Sequence, residues 1–335
     1  MHVVILGCGV SGLSCGVRLL EAGYSVEIWA RELPPHTTSD IAAAIWYPYR
    51  AFPQERVTVW AGRTLEVLRD LARQPGTGVR CVLGLELLRE VSPDPWWKPC
   101  VKDLRRATAG ELRPGYADGY VFEAPIIDMP RYLPFLGERF RQLGGRVLQR
   151  EVRAVEEAEA VAPLVVNCTG LGSRALLGDT SLFPIRGEVL RVALPPEERF
   201  LLDEDEARGM TYLVPRFDDC ILGGTAEEGN ASLEPDPAQA EAMLARAARL
   251  LPEGTRLQVL QHLVGLRPGR PAVRLEREAR GGGWLLHNYG HGGAGVTLSW
   301  GCAEEVVALA GQVAGGTARV GPGEHPASIG RSDGT

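Results

Sequence analysis

The chain has 335 residues, enough for two domains, and a hydrophobic share of 45% that suits a globular core. Its net charge of −6 and lack of any basic run argue against nucleic acid as a partner, and no stretch approaches membrane-spanning length. Seven scattered cysteines without metal spacing predict reduced thiols in a cytoplasmic protein and no metal site.

An apolar, β-branched run at 3–6 leads into Gly7-Cys8-Gly9-Val10-Ser11-Gly12. A helical pattern follows, with Leu13, Val17 and Leu20 on one face and Gly23 as its C-terminal stop; a second strand begins at Ser25. This is a βαβ dinucleotide-binding unit. Gly7 makes the tight turn, Gly9 lets the backbone approach a pyrophosphate, and Gly12 lets helix and strand pack closely. The N–H groups at 11–13 then face the phosphates. Glu32, at the end of the second strand, is the candidate for a ribose 2′-hydroxyl, whereas Arg31 would suit a 2′-phosphate. The motif alone leaves FAD, NAD and NADP open.

Next comes Thr37-Thr38-Ser39-Asp40-Ile41-Ala42-Ala43-Ala44-Ile45-Trp46-Tyr47-Pro48-Tyr49, polar, then apolar, then stopped by Pro48. A helix is predicted over 55–74, with short strands broken by Pro93, Pro95 and Pro99 after it. A helix at 130–143 precedes strands at 146–149 and 164–167. The second of these ends in Cys168-Thr169-Gly170, as a parallel strand does where it meets a ligand. Residues 182–228 read as antiparallel strands with Asp218-Asp219 as a hairpin turn. A helix at 236–251 and a strand at 257–260 lead to Gly265-Leu266-Arg267-Pro268. Finally, His287-Asn288-Tyr289-Gly290-His291-Gly292-Gly293-Ala294-Gly295-Val296-Thr297 opens a helix over 295–309, and 321–335 reads as a disordered tail. The expected fold is α/β. A Rossmann-type cofactor domain (1–50, 130–180 and 265–320) is interleaved with an antiparallel-sheet α+β substrate domain (51–129 and 181–264).

In order along the chain, the N-terminal turn, 37–49, 166–170, Gly265-Leu266-Arg267-Pro268-Gly269-Arg270-Pro271 with Val273-Arg274-Leu275-Glu276, and 287–301 resemble the D-amino-acid oxidase family, whose nearest relatives are the D-aspartate oxidases. The resemblance implies noncovalent FAD. It also implies oxidative deamination: a hydride passes from the substrate Cα to flavin N5, the imino acid hydrolyses to a 2-oxo acid and NH3, and O2 becomes H2O2. The cofactor carries the hard step, so no catalytic acid or base is expected.

By the same resemblance, Arg267 grips the substrate carboxylate with its guanidinium fork, Tyr212 helps hold it, and the Gly293 carbonyl meets the amine. Gly290, His291, Gly292, Ala294, Gly295, Val296 and Thr297 lie against the flavin, where the helix start favours negative charge at N1 and O2. The remaining cofactor contacts implied are Thr37, Thr38, Ser39, Ala43, Ala44, Ile45, Val152, Thr169, Gly170 and Arg267, with the N-terminal turn, Arg31 and Glu32. His291 is expected to pack rather than bind metal.

The family pattern has a second tyrosine four residues before Tyr212; here that position is Arg208, in Ala207-Arg208-Gly209, which predicts a short or absent lid. Tyr47 begins the side-chain pocket among aromatic and apolar neighbours, which favours neutral, apolar D-amino acids. Arg208 is the residue that would serve D-aspartate instead, with Arg50 and Arg216 read as solvated. A D-aspartate oxidase and a non-catalytic FAD-binding protein are the alternatives. No membrane-binding helix is seen, and the expected partners are substrate, O2 and a second copy of the chain in a homodimer.

Overall fold

The computed structural model describes residues 1–195, 197–205 and 208–316; the predicted tail at 321–335 and Ala207 of the lid position lie outside the described residues. In chain order the strands are β1 (His2–Leu6), β2 (Ser25–Ala30), β3 (Val79–Leu88), β4 (Arg105–Arg106), β5 (Asp118–Ile127), β6 (Arg146–Gln149), β7 (Leu164–Asn167), β8 (Phe183–Val192), β9 (Phe200–Asp203), β10 (Thr211–Pro215), β11 (Cys220–Gly223), β12 (Glu227–Glu228), β13 (Val259–Gly269), β14 (Arg274–Arg280) and β15 (Gly283–Tyr289). The helices are α1 (Val10–Glu21), α2 (Gln54–Ala72), α3 (Met129–Gln142), α4 (Glu156–Glu159), α5 (Ser173–Leu177), α6 (Pro237–Ala247) and α7 (Gly295–Gly316).

One sheet runs β14-β15-β7-β1-β2-β6, parallel except for β14. Its central strands β1 and β7 are apolar on both faces because both are covered. Val3 and Ile5 join the core that contains the helices α1, α2, α3 and α7, whereas Val4 and Leu6 join a smaller core with Val155 and Ala158. The helix α1 ends as its sequence dictates. Gly23 takes φ +85°, its N–H donates to the Leu20 carbonyl, and the Tyr24 N–H donates to that of Leu19.

The other sheet has nine strands in the order β12-β8-β11-β10-β9-β3-β5-β4, with β13 paired to β8; β3 and β9 run parallel, and the remaining neighbours are antiparallel. One face packs Leu85, Leu87, Leu201, Leu213 and Leu222 with Met243 and Ala247 of α6. The period of two therefore turns Glu86, Leu202, Tyr212 and Gly223 to the opposite face. The loop 42–47 ties the two sheets together: Ala44 and Ile127 exchange both backbone hydrogen bonds, and the Trp46 N–H donates to the Pro125 carbonyl.

Three boundaries differ from the sequence reading. The strand at 257–260 and the Gly265–Pro268 segment are one strand, because β13 pairs with β8 along almost its whole length. The final helix continues past 309 to Gly316, and α6 stops at Ala247 rather than 251.

Candidate active site

The strands β1, β7 and β15 lie side by side and parallel, so their C-terminal ends share one edge of the sheet. Three features gather there: the glycine turn into α1, the Thr169-Gly170 turn, and the glycine loop into α7. Crevices at such edges bind ligands in open α/β sheets. The first intrahelical bonds are Leu13 N–H to Gly9 O and Leu298 N–H to Ala294 O. The N–H groups ahead of them point out of two positive helix ends about two strand spacings, roughly 10 Å, apart at their parent strands.

The turn is built to stay bare. Gly7 has φ +104°, and a Cβ on Gly12 would fall 2.0 Å from the Gly7 carbonyl oxygen. A Cβ on Gly9 would fall 2.9 Å from Ser39 Oγ, which accepts the Val10 N–H at 3.0 Å. Thr37, Thr38 and Ser39 are thereby brought to the turn, with Thr37 capping its short 3-10 helix through Asp40. Cys8 is buried and Ser11 half-buried. Val152 packs against the small core that contains Trp29. Arg31 and Glu32 are both exposed and hydrogen-bond one another at 3.0 and 3.2 Å. Thr169 Oγ1 and N–H both donate to Asn167 Oδ1, and Gly170, at φ +55°, faces Pro268. A bare backbone, outward N–H groups and small side chains fit a long anionic dinucleotide.

The second end of the cleft is made by α7 and the strand β13. Thr297 Oγ1 accepts the Tyr47 N–H at 3.1 Å and donates to the Tyr47 carbonyl at 3.0 Å, with Ile45 O at 3.5 Å. It clamps the loop carrying Ala43 and Ala44. Gly292 N–H donates to the Pro268 carbonyl at 2.9 Å, Gly290 lies against Arg270, and Ala294 and Val296 are buried. His291 Nε2 is 3.0 Å from Asn288 Oδ1; burial lowers its ring to about 4, which keeps it neutral. Among the described residues no cluster of metal-binding side chains exists.

Arg267, Tyr212 and Gly293 converge here. The Arg267 Nη1 donates to Thr225 O at 3.0 Å, and its guanidinium lies over Gly187, where a Cβ would come within 2.2 Å of Nη1. The Tyr212 ring lies across Gly223, where a Cβ would meet Cζ at 2.0 Å. Burial raises the Tyr212 hydroxyl pKa, and the Arg267 charge opposes the rise. A Cβ on Gly293 would contact the Tyr49 ring at 2.9 Å and Arg267 Cδ at 3.5 Å. A forked cation, a neutral phenol and a bare backbone thus meet beside the start of α7. That set suits a carboxylate flanked by an amine.

Residues 2–309 match the profile of the FAD dependent oxidoreductase family, DAO. The chain belongs to the FAD-dependent oxidoreductase family. It is 56% identical over 312 residues to a D-amino-acid oxidase from Rubrobacter xylanophilus, covering 92% of this chain and 96% of that one. It is 47% identical over 315 residues to a D-amino-acid oxidase from Streptomyces coelicolor (92% and 96%), and 36% identical over 323 residues to a D-aspartate oxidase from Homo sapiens (92% and 94%). Glycine oxidase from Geobacillus kaustophilus shares the fold, with TM-score 0.77 at 19% identity over 92% of this chain and 94% of that one.

In this oxidoreductase Arg208 and Arg216 do not converge on the site, whereas Arg50 borders it, its carbonyl beside Gly292 and its guanidinium over the Tyr49 ring. Arg208 has a side chain 64% exposed, 3.7 Å from Asp205. Arg50 pairs with Glu228 at 3.4 Å. Arg216, read from sequence as solvated, is instead buried: Asp219 grips it through two 2.7 Å hydrogen bonds in the β10–β11 turn. A buried guanidinium needs such a partner, and the Asp218-Asp219 pair read only as turn residues provides it.

Sequence reasoning missed four residues of the oxidoreductase site. Gly187 and Gly223 make room for Arg267 and Tyr212 from other strands, and no local spacing links them. Tyr47 Oη lies 3.1 Å from Glu86 Oε1 and 3.3 Å from Glu204 Oε2, so the surroundings of Tyr47 are acidic as well as aromatic. Glu86 had a visible signal: it interrupts the apolar run 82–88.

Proposed function

We propose that this chain oxidatively deaminates D-amino acids with neutral side chains, releasing 2-oxo acid, NH3 and H2O2. The observation that carries the reading is the meeting of Arg267, Tyr212 and Gly293 beside the α7 helix start. FAD, when bound, supplies the redox chemistry, accepting the hydride from the substrate Cα and passing electrons to O2. The chain's own residues position. Arg267 binds the α-carboxylate, Tyr212 hydrogen-bonds it, and the Gly293 backbone directs the amine. Neutral His291 adds no competing cation beside the cleft.

The side-chain preference rests on charge. A second carboxylate would enter beside Glu86 and Glu204, and Arg208 turns away from the pocket toward Asp205 and solvent. D-aspartate is therefore a poor substrate. The cofactor residues are the glycine turn, Arg31 and Glu32, 37–39, 43–45, Val152, 169–170, Arg267 and 290–297, and they hold FAD without a covalent bond. A homodimer and a cytoplasmic location belong to the same reading; among the described residues no helix is long and apolar enough to cross a membrane.

Anaerobic addition of D-valine or D-methionine to the yellow protein should bleach the flavin, L-amino acids should not, and D-aspartate should do so with lower kcat/KM. D-aspartate ahead of both would reverse the preference. A flavin that none of them bleaches would leave a non-catalytic FAD-binding protein.

A further inference from the structure

Arg50 has an unusual backbone. Among the described residues it alone, apart from glycines, has a positive φ, +44°. Such a conformation persists only where the surroundings hold it, and it concentrates at functional sites. Here the surroundings are specific. Thr297 clamps Tyr47 on one side, and the Val273 N–H donates to the Phe52 carbonyl at 2.8 Å on the other, so 48–51 is a short span fixed at both ends. A Cβ on Gly292 would fall 2.9 Å from the Arg50 carbonyl oxygen. A Cβ on Gly293 would meet Tyr49 Cδ1 at 2.9 Å and Arg267 Cδ at 3.5 Å. The Tyr49 ring and the Arg267 stem therefore border one patch of bare backbone.

The Arg50 guanidinium reaches the other sheet. Its Cζ lies 5.3 Å from the centroid of the Tyr49 ring, and its Nη1 lies 3.4 Å from Glu228 Oε1 on β12. Glu228 pairs with Ile185 on β8, and Ile185 with Arg267 on β13, so the three stand in one cross-strand row on one face. Two strand spacings, roughly 10 Å, separate the Glu228 backbone from that of Arg267. The strand β12 is short but firmly anchored: buried Arg186 donates to Glu227 at 2.8 Å, and the Gly229 N–H donates to the Pro184 carbonyl at 2.8 Å. The ion pair itself is partly wet, with side chains 30% and 60% exposed, so salt screens it and it breaks readily.

We propose that Arg50 and Glu228 are positioning residues for the reaction: their ion pair clasps the loop 48–51 to the edge of the nine-stranded sheet and holds the Tyr49 ring as a wall beside the carboxylate end of the site. The inference rests on the reading of the site as that of a D-amino-acid oxidase. The Arg50 cation steadies the ring through its π face. The ring in turn keeps water from the substrate carboxylate and so strengthens its pairing with Arg267. Arg208, at the lid position, points to solvent, so closure at this end comes from the cofactor side of the cleft. A pair that breaks readily also lets product leave, so the clasp acts on KM rather than on kcat.

The test measures KM and kcat for D-methionine on the FAD-loaded wild type, Glu228→Gln, Arg50→Glu, Glu228→Arg and the charge-swapped Arg50→Glu/Glu228→Arg. Salt is set at about 0.01 M and about 1 M, where the Debye length is about 30 Å and about 3 Å. At low salt Glu228→Gln is expected to raise KM about threefold, the scale of a half-exposed ion pair, without lowering kcat. At high salt the gap from the wild type is expected to close, because the wild-type pair is then screened as well. Each charge reversal alone is expected to raise KM further, and the swap to bring it back to within about twofold of the wild type. A merely structural role would keep the gap at both salt concentrations and gain nothing from the swap, and either result overturns the clasp. If the swapped chain does not fold, the salt series on Glu228→Gln decides alone, and a low-salt KM equal to that of the wild type overturns it. Those failures, with the wild type turning over, sink only the clasp. A holoenzyme inert to D-methionine and D-valine sinks the oxidase reading and the clasp with it.

Discussion

Arg267 lies over Gly187, donates to the Thr225 carbonyl and interacts with the Tyr212 hydroxyl, and no described carboxylate forms an ion pair with it. Its remaining donors suit a substrate carboxylate. Removing one partner of a desolvated charge pair costs about 2–5 kcal/mol. Arg267→Ala should therefore retain flavin absorbance while raising KM by roughly thirtyfold or more; near-normal turnover at unchanged KM would exclude the role. Glu86 makes a different prediction, about pH. Its folded-state pKa, about 8, lies above the ordinary 4.5, so its contribution to stability is fully present below 4.5 and is lost as pH rises through 8. At 1.36 kcal/mol per unit the loss is roughly 3–5 kcal/mol. Glu86→Gln should match the wild-type Tm at pH 5 and exceed it at pH 9; a constant gap across that range would show that the carboxyl does not titrate as described.

At the scale of elements, the site depends on strands that approach one another closely. Tyr212 on β10 lies across Gly223 on β11, its cross-strand partner. Alanine there would push the ring aside, at a cost of about 1–3 kcal/mol for overpacking. Gly223→Ala should bind FAD, since Gly223 lies on the other sheet from the glycine turn, yet lose at least tenfold in kcat/KM for D-methionine. Unimpaired turnover would mean that the ring position does not matter. The elements of the parallel sheet were legible in the sequence because each has a local cause: β-branched runs, a helix face of Leu13 and Val17, and a terminating Gly23. The long strand β13 was not, because its pairing with β8 overrides a locally weak pattern; its first three residues, 259–261, are exposed and polar in part.

For the whole molecule, the cofactor edge of the parallel sheet and the inner face of the nine-stranded sheet meet across the loop 42–47, so FAD bound at one should stabilise the fold as a unit. A ligand at 100 times its Kd adds about 2.7 kcal/mol to the folded state. Stripping FAD should lower Tm and re-adding it should restore Tm in a concentration-dependent way. Acid precipitation should release yellow flavin into the supernatant, and colour retained on the pellet would refute noncovalent binding.

Some features follow from the residues themselves. The glycine turn with its flanking strand and helix, the second glycine loop, and the Arg267-Pro268 segment carry their chemistry in short contiguous stretches, where covalent geometry and local propensity decide the outcome. The family resemblance rests on the same stretches. Other features exist only once the sheets are formed. The row Glu86-Leu202-Tyr212-Gly223 draws one residue from each of four strands, far apart in the chain. The bare patches at Gly187 and Gly223, the clamp of Thr297 on Tyr47, and the turning of Arg208 to solvent and Arg216 to Asp219 likewise come from register and packing. A period of two says which residues share a face, but only strand pairing says which neighbours they meet, and those neighbours give the pocket its charge.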